Sequence, residues 1–291
     1  MTFLSQDFLD YIAENCDRAS FIQNYLNKRG VDTNLICLDG KKHILIQFNS
    51  RFYNPAYKIK TIISHYDRVE GSPGANDNSA CNFMLMNWAV NLIKFQGFHN
   101  VRIFFTDGEE LGKNYGVSEQ GAFGLASTFK RLGITNDDVY VFDSCGRGDV
   151  ALLSDFRIPE KASKVFSKKY MDLYKRSKLL LQQSCPGHWI SLPAPYSDNA
   201  SFLACGIPAV AITILPGEEA SQYAMELLKN PRLEANVLNR ASGEDPDLRK
   251  LLPLTWQLFH TKGDNSKSLT ESAFVVMNNI LFTLANLKTP V

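Results

Sequence analysis

The chain has 291 residues, of which 45% are hydrophobic and 11% aromatic, and a formal net charge of +1 from 31 basic and 30 acidic residues. That length suits one large α/β domain or two small ones, with ample apolar material for a core. The balanced charge and the lack of a basic cluster with interleaved aromatics exclude nucleic acid and an anionic membrane surface as expected partners. No run of about 18 apolar residues occurs, so no membrane-spanning helix is expected. Met1-Thr2-Phe3-Leu4-Ser5-Gln6-Asp7 lacks a basic segment followed by an apolar run, so no signal peptide is read there. Six scattered cysteines without a Cys-x-x-Cys pair fit reduced thiols and a cytoplasmic location; a leader already removed would leave secretion open.

Residues 5–29 carry Phe8, Tyr11, Ile12, Phe21, Ile22, Tyr25 and Leu26 at helical spacings, and Lys28-Arg29-Gly30 is a stop signal. A break near Cys16-Asp17 divides the stretch into two helices. Ile44–Phe48 and Ile59–Ser64 read as strands, with Asn54-Pro55 in the connection between them. After His65-Tyr66-Asp67 and a glycine-containing loop, Asn76-Asp77-Asn78-Ser79 opens a helix over 79–95. Residues 101–106 form an apolar, β-branched and aromatic strand, and 118–131 a helix ending at Gly133. Val139–Phe142 and Val150–Leu153 are neighbouring strands. Ala209–Leu215 is expected as the last central strand and Thr270–Leu287 as a closing helix.

Strands alternating with helices predict an α/β fold, a three-layer α/β/α sandwich around a mixed, mostly parallel sheet. The whole chain, 1–291, reads as a single domain. Residues 157–196 interrupt the alternation with a basic helix (Lys161–Leu181) and the loop Leu192-Pro193-Ala194-Pro195. Residues 217–258 do so with polar helical stretches at Glu218–Lys229 and Asp247–Leu258. Both excursions are expected to wall a cleft. No internal repeat or low-complexity tract occurs.

The chemically odd stretch is Thr106–Gly112, Thr-Asp-Gly-Glu-Glu-Leu-Gly. Two adjacent carboxylates at the end of a buried strand repel each other, and burying either one unpaired is costly. On their own they read as a solvated loop. A cation that holds one and leaves the other free as a base gives them a use, provided other segments supply ligands. His65, Glu109-Glu110 and Asp143 each follow an apolar strand, and Asp77 starts the helix beyond the His65 loop. Ligands of open α/β sheets lie at the carboxyl ends of the strands, so these pieces converge on one edge. Imidazole and carboxylate without thiolate pairs suit zinc or a similar divalent ion in an open site. One Asp can bridge two ions roughly 3.5–4 Å apart. His65, Asp143, Glu110 and a second histidine would complete such a set. Among five histidines, His99 reads as a solvated turn residue and His43 as an edge-strand residue, which leaves His188 and His260.

His65-Tyr66-Asp67, Gly74-Ala75-Asn76-Asp77-Asn78, Glu109-Glu110-Leu111-Gly112, Asp143, Ser197-Asp198-Asn199-Ala200-Ser201-Phe202, Gly206-Ile207-Pro208 and His260-Thr261 come in that order. Together they resemble the motif series of the M28 zinc aminopeptidases, whose fold the glutaminyl cyclases share. The resemblance covers residues 58–280 and implies a zinc-peptidase (phosphorylase/hydrolase-like) architecture. It implies His65 and Asp143 on one Zn2+, Glu110 and His260 on a second, Asp77 bridging them, and Glu109 as general base. Asp67 would hold the His65 imidazole in its tautomer. In the family the peptide after the bridging Asp, here Asp77-Asn78, is often cis. Asn199 stands where the family often has His. Ser79-Ala80-Cys81 lacks the glycine usual in the aminopeptidases, and Ala80-Cys81-Asn82-Phe83-Met84-Leu85, like Asp107-Gly108-Glu109-Glu110, leans toward the cyclases. Phe259 stands where cyclases usually carry Trp before His-Thr.

The reaction so implied is hydrolysis of the N-terminal peptide bond of a peptide or small aminoacyl substrate. Two zinc ions would take part, and Glu109 would take the proton of water and return it to the leaving amine. One alternative is a glutaminyl-peptide cyclotransferase with a single zinc, in which the substrate amine attacks its own side-chain amide and Asp198 orients that amide. The other is a catalytically silent M28-like binding module; its mark would be a lost ligand or base, and none is lost. Gly146-Arg147-Gly148-Asp149-Val150-Ala151 matches a dinucleotide fingerprint by letters, but a strand follows where a helix is required. No Gly-x-Ser-x-Gly elbow occurs.

Overall fold

Two short caps explain the start of the chain. Ser5 accepts from the Phe8 N–H and opens α1 (Gln6–Tyr11), and Asp17 accepts from the Ser20 N–H and opens α2 (Arg18–Asn27). The break expected near Cys16-Asp17 is therefore a second N-cap. The computed structural model describes residues 3–111, 116–238 and 245–291. Gly112 of the Glu109-Glu110 motif and residues 239–244 of the second excursion lie outside the described residues.

Asp39-Gly40, both at positive φ (49° and 78°), turns a tight hairpin between β1 (Asn34–Leu38) and β2 (Lys41–Gln47). β3 (Lys60–His65), α3 (Ala80–Leu92), β4 (Val101–Thr106), α4 (Gly121–Arg131), β5 (Asp138–Phe142) and β6 (Val150–Ser154) follow as the alternation predicts. The first excursion holds α5 (Lys164–Ser184) and also β7 (Trp189–Leu192), which pairs with β6 and so extends the sheet. After α6 (Asn199–Ala204) and β8 (Ala209–Leu215), the second excursion folds as α7 (Gly217–Lys229), α8 (Pro231–Val237), α9 (Pro246–Arg249) and α10 (Leu254–Gln257). Its last helical stretch is split because Pro253 offers no N–H and disfavours helix in the residue before it. α11 (Glu271–Asn286) closes the chain.

The eight strands run in the order β1-β2-β4-β3-β5-β8-β6-β7, with β4, β3, β5 and β8 mutually parallel; β8 inserts between β5 and β6, so these two are not the neighbours their sequence order suggested. Alternate residues face opposite layers. Ile62, Ile103 and Phe105 join Ile22 of α2, Leu85 of α3, Leu173 of α5 and Met277 of α11 in the larger core. Ile63, Phe104, Val139 and Val141 pack on the other face against Leu125 and Phe129 of α4 and Phe202 of α6. This is the expected α/β/α sandwich. β3 lies between β4 and β5, so the chain leaves it first to one side and then to the other, which opens a crevice at its carboxyl end. Among the described residues no helix is long and apolar enough to cross a membrane.

Two histidine expectations are corrected. His99 is fully buried rather than solvated; its ring stacks on Phe52 at 4.9 Å and its Nδ1 accepts the Val101 N–H at 3.1 Å. Burial pushes its pKa down to about 3. His43 is no edge residue, because β2 is flanked by β1 and β4; it is fully buried, and its Nδ1 accepts the Asp107 N–H at 3.3 Å. His188 is exposed.

Lys60 is the unusual group at the opposite end of β3. Only 2% exposed, it donates to Leu287 O at 2.5 Å, and burial aided by the Lys288 charge lowers its pKa from 10.5 to about 7. Between those values the unfolded chain binds a proton there that the native chain does not, so the group makes stability rise with pH. Its contribution amounts to at most about 1.4 kcal/mol per pH unit. Lys60→Met is expected to remove that slope, read as the wild-type-minus-variant difference in urea midpoints at pH 7 and pH 9.

Candidate metal centre

The donors are delivered by strand ends and one tight turn. β3 ends at His65, which lies beside Thr106 of β4, and the next residues of that chain segment carry Glu109 and Glu110. β5 ends at Phe142, and the Asp143 N–H donates to Ile212 O of β8 at 3.1 Å. Asp77 sits in the turn Ala75–Ser79 ahead of α3, and the Asp77-Asn78 peptide is cis.

Side-chain amides staple this turn to the sheet. Asn78 Nδ2 donates to Ser64 Oγ and Phe142 O (3.0 and 2.9 Å), and its Oδ1 accepts the Ser144 N–H at 3.2 Å. Asn76 Oδ1 accepts the Gly146 N–H at 2.7 Å, and Asn82 Nδ2 donates to His65 O at 2.9 Å. Buried Arg18 donates to Tyr66 O, Pro73 O and Ser79 Oγ. Asp264 accepts the N–H groups of Asn76 and Asp77 at 2.7 and 3.1 Å. The backbone on both sides of Asp77 is thus fixed, and its carboxylate is left to face the cleft.

Asp77 presents one oxygen to each imidazole. Oδ1 is 3.2 Å from His65 Nε2 and Oδ2 is 3.4 Å from His260 Nε2. Asp143 Oδ2 lies 3.6 Å from His65 Nε2, and Glu110 Oε2 lies 3.0 Å from His260 Nε2. Two groups of convergent donor atoms result, His65-Asp77-Asp143 and Asp77-Glu110-His260, sharing Asp77. His65 also forms a third group with Glu109 and Glu110. Asp67 ties the two sides together: Oδ2 accepts the Glu110 N–H at 2.9 Å, and Oδ1 is 3.5 Å from His65 Nδ1.

The electrostatics call for a cation. Both nitrogens of buried His65 lack a hydrogen-bond partner among the described residues. Burial alone would lower its pKa, yet Asp143, Asp67 and Asp77 hold it well above the usual value. Burial and the Asp77 charge lift Glu110 to about 7. Burial lifts Glu109 too, and the charges of Glu110, Asp143 and Asp198 add to it. His260, by contrast, is raised to about 10 by its contacts with Asp77 and Glu110. An oxygen-rich set with two imidazoles and no thiolate fits zinc or a similar divalent ion, whose charge would relieve this crowding of carboxylates.

Beside Asp143 lies a small, half-open pocket. Its walls are Ala194 and Pro195 of the first excursion, Trp256 of the second, Phe259 just beyond it, and Ile212 and Thr213 of β8. One residue pair of the first excursion and one residue of the second thus line this pocket. Arg147 anchors the second one, donating to Glu219 Oε1 (3.0 Å), Thr255 Oγ1 (3.1 Å) and Ser268 O (3.2 Å). Its Gly146-Arg147-Gly148 surroundings lead into β6, so they form no dinucleotide site.

The sequence model of peptidase family M28 matches residues 54–285. The chain belongs to peptidase family M28. Its fold is shared with the Legionella pneumophila LapA aminopeptidase at 14% identity and a TM-score of 0.59, covering 96% of this chain and 69% of that one. A glutaminyl cyclase of Porphyromonas gingivalis matches at 15% identity and a TM-score of 0.60, covering 92% and 88%. A Zn-dependent exopeptidase from Parabacteroides distasonis matches at 13% and 0.61, covering 97% and 94%. Among curated proteins none matches.

In this M28 chain His65, Asp77, Glu109, Glu110, Asp143 and His260 all meet at one crevice, with Asp67 against His65 and the Glu110 N–H. Asp198 is buried behind them; Thr106 Oγ1 donates to its Oδ2 at 2.5 Å, its Oδ1 has no partner among the described residues, and burial lifts its pKa to about 6. Phe259 belongs to the pocket wall, not to the donor groups. Asp264 escapes sequence reasoning because it acts on backbone N–H groups nearly two hundred residues away; its one signal is a carboxylate in the same turn as His260.

The loop that carries Glu109 rests on the start of α4. A Cβ on Gly121 would stand 1.8 Å from Asp107 O, and the Gly121 N–H donates to Gly108 O at 3.0 Å. Gly121→Ala is expected to push residues 107–110 outward at a cost of about 1–3 kcal/mol. A thermal melt reads the cost, and a fall in kcat/KM of about tenfold or more reads the displacement.

Proposed function

We propose that this chain is a zinc-dependent aminopeptidase acting on the N-terminal bond of a peptide or small aminoacyl substrate. The observation that carries the reading is Asp77, whose two oxygens face two separate donor groups. His65, Asp143 and Asp77 would hold one zinc ion, and Glu110, His260 and Asp77 the other. Zinc so held supplies Lewis acidity toward the scissile carbonyl and lowers the pKa of water toward about 7. Glu109 is half-buried beside His65 and Glu110, one member of each group; it takes the proton of the attacking water and passes it to the leaving amine. Asp67 keeps the His65 ring oriented. The neighbouring pocket takes the side chain of the N-terminal residue; apart from Asp143 its lining is uncharged, which selects an uncharged side chain.

A second reading, a single-zinc glutaminyl cyclase, is favoured by one observation: Asp198 has a buried oxygen with no partner among the described residues, able to accept from a substrate amide. A metal count on purified protein, paired with assays on a leucine anilide and a Gln-peptide, separates the two. Two metals per chain and release of the anilide are expected. One metal per chain with ammonia release from the Gln-peptide would replace the aminopeptidase reading by the cyclase.

A further inference from the structure

Gln120 immediately precedes α4, and its side chain reaches across to Glu109. Its Nε2 lies 3.3 Å from Glu109 Oε1 and 3.4 Å from Glu109 O, so its two amide hydrogens serve the carboxylate and the backbone of the same residue. The other end of the amide is also fixed. Ser201 of α6, fully buried, donates from Oγ to Gln120 Oε1 at 3.3 Å. That contact aims the oxygen toward α6 and therefore the NH2 group toward Glu109.

We propose that Gln120 is the positioning residue of the general base: it engages Oε1 of Glu109 and leaves Oε2 turned to the reacting water. The assignment rests on the reading of Glu109 as base. Glu109 has three side-chain torsions, and a carboxylate free to rotate about them spends little time in a productive orientation. The chain Ser201-Gln120-Glu109 removes that freedom. Gln120 touches neither of the two donor groups that share Asp77, so its loss spares them.

Gln120→Met keeps the length of the side chain and removes its donors. It is expected to lower kcat on the leucine anilide about 10- to 100-fold, with KM, metal content and thermal midpoint unchanged. Ser201→Ala is expected to act in the same direction and less. Added to Glu109→Gln, Gln120→Met should cause no further loss, because the two act as a unit. Wild-type kcat in Gln120→Met beside an inactive Glu109→Gln overturns the positioning role. So does a Gln120→Met protein that loses metal or fails to fold, since the residue is then structural. An active Glu109→Gln instead overturns the base reading itself.

Discussion

Glu109→Gln is expected to lower kcat by about 10²- to 10⁴-fold, the usual contribution of a general base, without changing metal content. The amide fills the same volume and still meets Gln120, but it cannot take a proton. Glu109 lies outside the two donor groups that share Asp77, so both groups survive the change. KM should move little, because the base acts on water and not on the peptide's side chains. The metal-free variant should melt at a higher temperature than the metal-free wild type. Glu109 is half-buried and faces the charges of Glu110, Asp143 and Asp198, and replacing it by a neutral group removes that repulsion. Steady-state kinetics, metal analysis and a melt with chelator test the three parts separately. Turnover at near the wild-type rate would remove Glu109 from the role of base.

The site was legible in the sequence to the extent that local pattern encodes position. His65, Glu110 and Asp143 follow apolar strands, and a parallel sheet brings the carboxyl ends of such strands together. Asp77 and His260 lie in loops, and their partnership came from the order of the M28-like motifs, not from periodicity. What stayed hidden depends on distant partners. His43 and His99 look polar and local, yet one is covered by the Asp107 loop and the other by Phe48, Phe52 and Phe95. β1 and β7 are short edge strands whose apolar residues match no strong alternation; β1 is announced only by the Asp39-Gly40 turn after it. Gln120 and Asp264 meet residues on other segments through hydrogen bonds, and no residue type or spacing marks such a contact in advance.

The two donor groups differ in exposure, and that difference predicts how metal is lost. His65 is 1% exposed and His260 is 53% exposed, so chelator should strip the Glu110-His260 ion first and the His65-Asp143 ion later. His260→Ala is expected to bind one metal per chain, because His65, Asp143 and Asp77 remain a complete group of three donors. Asp77→Ala is expected to weaken both sites together, by more than the 10- to 100-fold that removal of an outer partner of a ligand typically costs. Asp264→Ala supplies that milder comparison, since it frees only the N–H groups that fix the Asp77 turn. Metal titration of the four proteins, read by atomic emission after dialysis, gives counts that no single-metal centre can reproduce. In a single-metal centre built on Asp77, Glu110 and His260, the wild type would bind one ion and His260→Ala none. In a shared-Asp centre the counts run two, one and zero for wild type, His260→Ala and Asp77→Ala, and the surviving ion in His260→Ala must be the one that chelator removes last.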